Sequence, residues 1–188
     1  TVEEYDPATD TWTRKADMPT PRRQLVVTAV NNKIYAIGGV SFTSDPNSLI
    51  YSYSNEEYDP ATNTWISKAS MPTGGPVNNI LGNRFIGGAS ANGKIYLAAF
   101  SNGGIGPLTH TLEYDPTLNV WASKAQPPFS YTRYTVATLN NKVYALSDFG
   151  ELAEYDPFKN IWIIRPPLST PRFRTGLASV GGELLSIG

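Results

Sequence analysis

Cysteine is absent from this 188-residue chain, which excludes disulfides, thiol nucleophiles and thiolate-bound metals. Histidine occurs once, at His110, too few imidazoles for a multi-histidine metal centre, and no metal or other cofactor is expected. Charge is sparse: 16% of residues are charged and the net charge is -1, which provides no field for nucleic acid or an anionic membrane. No apolar run approaches the roughly 20 residues that cross a bilayer, so membrane insertion is not expected, and no basic-plus-apolar leader is present. No Gly-rich phosphate loop, Ser/His/Asp set or metal-ligand spacing appears either. What the chain does have is Gly 16 and Pro 15, the composition of a turn-rich all-β protein.

One stretch comes back three times. Glu4-Tyr5-Asp6-Pro7-Ala8-Thr9-Asp10-Thr11-Trp12 returns around Tyr58 and Trp65, around Tyr114 and Trp121, and around Tyr155 and Trp162, and these hold all 4 tryptophans. Recurrence at a period of roughly 40 to 56 residues signals a repeat architecture, in which one unit cannot bury its apolar face alone. The motif also defines the local structure. Asp-Pro sets a turn, the Asp side chain accepting from the backbone two residues on, and Asp or Asn three residues after Pro suits the exit. Tyr and Trp therefore belong to the two strands of a hairpin. A second hairpin is signalled by Asn31-Asn32, Asn92-Gly93, Asn140-Asn141 and Gly181-Gly182, each between strand-like runs such as Leu25 to Val30 and Ile34 to Ile37.

Each unit thus has four strands, and four-stranded units at this period predict a β-propeller. The stretch Val30-Asn31-Asn32-Lys33-Ile34-Tyr35-Ala36-Ile37-Gly38-Gly39, followed by Glu-Tyr-Asp-Pro-x-Thr-Asn-x-Trp and by Met18-Pro19-Thr20-Pro21-Arg22, resembles the Kelch repeat over essentially the whole chain. The resemblance implies the fold and says little about activity, since the family includes adaptors, scaffolds, oxidases and sugar-processing enzymes. Gly38-Gly39 is replaced by Ala99-Phe100 in the second repeat and by Ser147-Asp148 in the third, so the close backbone approach implied there is in doubt for those blades. The expected blades are 23–68, 80–124 and 134–165, with partial blades at 1–17 and 173–188. The chain opens in mid-motif with a third and fourth strand and closes with a first and second. Its ends either pair into a small ring or are the cut ends of an arc; the arc is the expectation, with further blades of a parent chain among the partners.

In a four-stranded meander the turns between strands one and two and between three and four share one face of the ring. The connections from two to three, and from blade to blade, share the other. Length variation falls on that second face: residues 40–56, 101–112 and 149–153, and an eight-residue insertion within 72–91. Loops on a rigid scaffold carry function, so this is the expected binding face. Lys15, Lys68 and Lys124, and Lys33, Lys94 and Lys142, repeat at equivalent positions and read as solvated surface. By contrast Arg22, Arg23, Arg84, Arg133, Arg172 and Arg174 precede or enter first strands, and would rim the channel mouth as readers of acidic groups. The plainer reading of Arg22 and Arg172 is an ion pair with a neighbouring carboxylate or a stack on an aromatic ring.

Tyr5, Trp12, Tyr58, Trp65, Tyr114, Trp121, Tyr155 and Trp162 read as inter-blade packing, and Gly38 and Gly39 as structural repeat positions. The Glu and Asp of Glu-Tyr-Asp-Pro read as turn and edge residues, because equivalent copies around a ring cannot converge as a catalytic pair. His110 reads as part of a polar loop. A copper oxidase needs more histidines than one, and the Asp10-Thr11-Trp12 likeness to a sialidase turn lacks that turn's Ser and Gly. The sequence reading is therefore a non-catalytic scaffold that binds a protein or peptide, with an acidic one the partner that the arginines suit. The alternative is a propeller that binds or processes a sugar acid. Low charge, absent cysteine and polar loops suggest a secreted or cell-surface bacterial protein.

Overall fold

The computed structural model describes residues 1–42, 49–72, 86–103, 106–129, 134–171 and 175–188, and every regular element among them is a β-strand. The chain begins with a two-stranded sheet of β1 (Val2–Asp6) and β2 (Thr11–Lys15). A first complete blade follows, from β3 (Val26–Val30), β4 (Lys33–Ile37), β7 (Asn55–Asp59) and β8 (Thr64–Lys68). Between its second and third strands stands a separate hairpin, β5 (Val40–Phe42) with β6 (Leu49–Tyr51).

The second blade is β9 (Ile86–Ala91), β10 (Lys94–Gly103), β11 (Gly106–Asp115) and β12 (Val120–Lys124). The third is β13 (Tyr134–Leu139), β14 (Lys142–Ser147), β15 (Leu152–Asp156) and β16 (Ile161–Arg165). The last sheet pairs β17 (Gly176–Val180) with β18 (Glu183–Ile187), and it does not hydrogen-bond to β1–β2. First strands β3, β9, β13 and β17 lie side by side in succession, which makes them the inner strands. The described strands form an arc of a propeller, all antiparallel.

The turn chemistry is that of the sequence motif. Asp6, Asp59, Asp115 and Asp156 each accept through Oδ1 from the backbone N–H two residues on, at 2.8 to 3.0 Å. Asp10, Asn63, Asn119 and Asn160 leave the turn at φ of 53° to 56°, a region that Asn and Asp tolerate better than other side chains.

One cluster of side chains then locks each blade to its predecessor. Asn63 Oδ1 accepts from the Tyr58 hydroxyl of its own hairpin (2.9 Å) and from the Ala16 N–H of the sheet before (2.7 Å), while Trp65 Nε1 donates to the Ala16 carbonyl (2.9 Å). Asn119, Tyr114 and Trp121 grip Ala69 in the same way, and Asn160, Tyr155 and Trp162 grip Ala125. The gripped residue is the fourth after Trp12, Trp65 and Trp121. After Trp162 that position is Pro166, which has a carbonyl and no N–H.

Apolar packing fills the space behind these clamps. Val26, Tyr35 and Ile37 of the first blade meet Ile95, Leu97, Leu112 and Tyr114 of the second, and all are buried. A groove of about 480 Å³ between β1–β2 and the first blade is lined by Val27, Ile34, Tyr58 and Trp65. Ile34, Tyr58 and Trp65 match Ile95, Tyr114 and Trp121, which β3 and β4 cover one blade later. The groove is therefore a blade-packing surface rather than a ligand cavity.

Residues 101–112, expected as a connection, are instead mostly strand. β10 and β11 pair continuously from Ile95↔Tyr114 out to Gly103↔Gly106. Where the first blade has Gly38 and Gly39 at φ 67° and 91°, this one has Ala99 and Phe100, which pair with β11 and carry the strand straight on. His110 accordingly lies in β11, buried, and not in a polar loop.

Candidate binding face

Opposite the uniform Asn and Asp-Pro turns, the first two blades each raise a β-hairpin from the connection between strands two and three. These are β5–β6 and the outer part of β10–β11. The third blade has only a tight turn there, in which Gly150 adopts φ 82° and its N–H donates to the Ser147 carbonyl at 3.0 Å.

Arg23 ties the base of β5 to the strand entry. Its N–H donates to the Val40 carbonyl and its carbonyl accepts from the Val40 N–H, both at 2.9 Å. Gly39 is required at that junction, since a Cβ on it would stand 2.7 Å from the Arg23 carbonyl oxygen. Arg23 itself is exposed, and with Thr20, Pro21, Arg22, Val40 and Ser41 it lines a cavity of about 570 Å³.

Arg22 is a different case. Its side chain is fully buried, with Nη1 donating to Glu56 Oε2 (2.8 Å) and Nη2 to the Ala36 carbonyl (3.0 Å). Thr20 donates to the other carboxylate oxygen of Glu56 at 2.7 Å. The guanidinium holds the blade together from inside. Arg84, Arg133, Arg172 and Arg174 lie outside the described residues, as does most of the 72–91 insertion.

The motif glutamates and the turn lysines were taken separately in the sequence, and the structure joins them. Glu57, Glu113 and Glu154 are buried. Glu57 accepts from the Tyr35 hydroxyl and pairs with Lys68 (3.1 Å). Glu113 pairs with Lys94 (2.9 Å) and Lys124 (3.2 Å). Glu154 accepts from Tyr144 (3.0 Å) and pairs with Arg165 (2.7 Å). Lys33 and Lys142 reach the turn aspartates Asp59 and Asp156, and Lys94 also reaches Asp115 at 3.2 Å. Cross-strand register could have revealed this: Tyr35↔Glu57 and Tyr96↔Glu113 are direct partners on one face. Each carboxylate is neutralised where it stands, so the cluster is structural chemistry.

Burial alone would raise the Glu113 carboxyl, but the bonds from Lys94, Tyr96 and Lys124 carry it below the ordinary range. Asp115 is lowered as well, against its own burial, by the Leu118 and Thr117 N–H groups and by Lys94. Burial and the adjacent Glu57 push the Tyr35 hydroxyl up, and Tyr114 rises to about 12, mainly through burial. Carboxyls lowered in the fold stabilise it above their unfolded pKa of about 4, and that contribution is lost as pH falls through the folded values. The thermal midpoint should therefore drop as the medium is taken from neutral to below about pH 4, and Lys94→Met should flatten that acid limb. An unchanged limb in the variant would refute the assignment. Among the described residues no group of three or more His, Cys, Asp or Glu could hold a metal ion.

The Kelch motif family model matches residues 21–72. Kelch-like protein 7 of Rattus norvegicus is 32% identical over 125 residues, covering 66% of this chain and 19% of that protein. An F-box/kelch-repeat protein of Arabidopsis thaliana is 31% identical over 172 residues, covering 88% of this chain and 43% of its own length. Beta-scruin of Limulus polyphemus is 28% identical over 192 residues, covering 94% of this chain and 20% of its own length. The chain thus spans between about a fifth and two fifths of these relatives. All three are eukaryotic, which lends no support to the bacterial, secreted source expected from composition. The matched segment holds one full round of the clamp motif and the other rounds repeat it residue for residue, so this chain belongs to the Kelch-repeat family.

Proposed function

We propose that this chain is a non-catalytic interaction module that binds a protein or peptide on the face carrying the β5–β6 and β10–β11 hairpins. The observation that supports it is the asymmetry between faces: one carries near-identical turns, the other two hairpins of unequal length on adjacent blades. The β5–β6 hairpin stands beside a cavity of the first blade and the β10–β11 hairpin on the next, segments of variable length on a rigid scaffold as interaction loops are. Exposed Arg23 at the base of β5 gives this surface a bidentate reader of carboxylates, and Arg84, Arg133, Arg172 and Arg174 enter the same proposal by their place in the sequence. An acidic partner follows from that chemistry.

The test is affinity capture from a eukaryotic lysate with three baits. These are the chain itself, an Arg23→Ala, Arg84→Ala, Arg133→Ala variant, and a variant whose β5–β6 hairpin is replaced by a short Asn-Gly turn. A polypeptide retained by the first and lost from the other two is the expected result. Equal retention by all three would remove this face from consideration, and retention of a sugar acid alone would replace the protein-binding reading with a sugar-binding one.

A further inference from the structure

The fourth strand is the outer edge of every blade, with one side of its backbone unpaired. Such edges invite pairing with another chain, and proteins discourage it with polar and charged residues. β2, reading Thr11-Trp12-Thr13-Arg14-Lys15, exposes one apolar residue, Trp12, as β8 exposes Ile66 and β12 exposes Val120, each among polar or charged neighbours. β16 departs from this. It reads Ile161-Trp162-Ile163-Ile164-Arg165, and Ile161, Ile163 and Ile164 are all exposed, Ile164 to 65%. Phe158, on the adjoining turn where the other copies have Ala8, Ala61 and Thr117, is 80% exposed. The single cation of the strand, Arg165, is drawn inward onto Glu154.

We propose that β16 is a self-association edge, pairing antiparallel with β16 of a second copy of this chain about a two-fold axis at Ile163. The strand's own sequence argues for that occupant. A two-fold interface brings the same patch together from both copies and must be self-complementary. With Ile163 opposite itself, Trp162 of each copy faces Ile164 of the other on one side of the sheet, and Ile161 faces Arg165 on the other side. Lys159 falls opposite Pro167, so no like charges oppose each other. Two four-stranded blades then become one continuous eight-stranded sheet, and the apolar row leaves water on both sides of the seam. The pairing lies on the rim of the arc, away from the hairpin face, and is independent of the partner-binding reading above.

Sedimentation velocity on the 188-residue chain over a range of concentrations tests this, together with an Ile163→Thr, Ile164→Ser variant that introduces residue types found in the other outer strands. The chain should sediment as a reversible dimer and the variant as a monomer with unchanged circular dichroism. A second measurement uses the absence of cysteine: under mild oxidation Ile163→Cys should give a covalent dimer, because residues facing each other across an antiparallel pair approach within disulfide range, while Ile66→Cys in β8 should not. A monomeric chain, a dimer that survives the double substitution, or equal cross-linking at the two positions would overturn the proposal.

Discussion

Replacing Trp121 by Ala should cost the protein about 3–5 kcal/mol, whereas the same change at Trp12 should cost under about 1 kcal/mol. The two residues occupy the same place in the repeat, and their rings stand 4.9 Å and 5.1 Å from Tyr114 and Tyr5. They differ in what lies beyond. Trp121 packs against the core between the first two complete blades and donates to the Ala69 carbonyl at 2.7 Å, while Trp12 is 68% exposed. Truncating Trp121 opens a cavity and leaves Ala69 one donor short; truncating Trp12 removes atoms already in water. Urea titrations followed by far-ultraviolet circular dichroism would measure both, and comparable losses at the two sites would show that the clamp is not where the tryptophan acts.

The second large effect concerns a buried charge. Glu56→Ala should destabilise the first blade by about 3–5 kcal/mol, because it strands the Arg22 guanidinium in the interior. Replacing both partners, as Arg22→Met with Glu56→Leu, should recover most of that loss, since apolar residues of similar volume often serve a buried site as well as an ion pair. The chain supplies its own precedent: at the position of Glu56, the second and third blades carry Leu112 and Ala153, both buried without charge. If the double variant were as unstable as Glu56→Ala alone, the pair would be holding a geometry that packing cannot replace. If Glu56→Ala changed little, Arg22 would have another partner, and its role inside the blade would need revising.

The strand order, the turns and the phase of the blades were legible in the sequence because they rest on local chemistry. Asp-Pro, Asn-Asn and Gly-Gly each demand a particular backbone, and the structure puts the turns where they occur. Residues 101–112 were misread for the same reason: polar and Gly-rich sequence looks like a loop, and only pairing between Ala99 and His110 reveals a strand. Arg22 was ambiguous because an arginine entering a strand can reach into the blade or out of it, and Glu56, 34 residues further on, decides which. The lysine and glutamate clusters escaped notice because their members are spaced by fold, not by motif; Lys94, Tyr96, Glu113 and Lys124 meet only when three strands are aligned. The hairpin tips, residues 43–48 and 104–105, lie outside the described residues.

The clamp has a direction, and direction makes the arc modular. Each blade grips the one before it through an N–H and a carbonyl of a single residue, so the stability of the assembly is a chain of nearest-neighbour couplings. Three of those couplings use Ala16, Ala69 and Ala125 and receive both bonds. Pro166, at the equivalent position after Trp162, could offer such a clamp a carbonyl and no N–H. Couplings of this kind let thermal opening proceed joint by joint, without the arc melting as a whole.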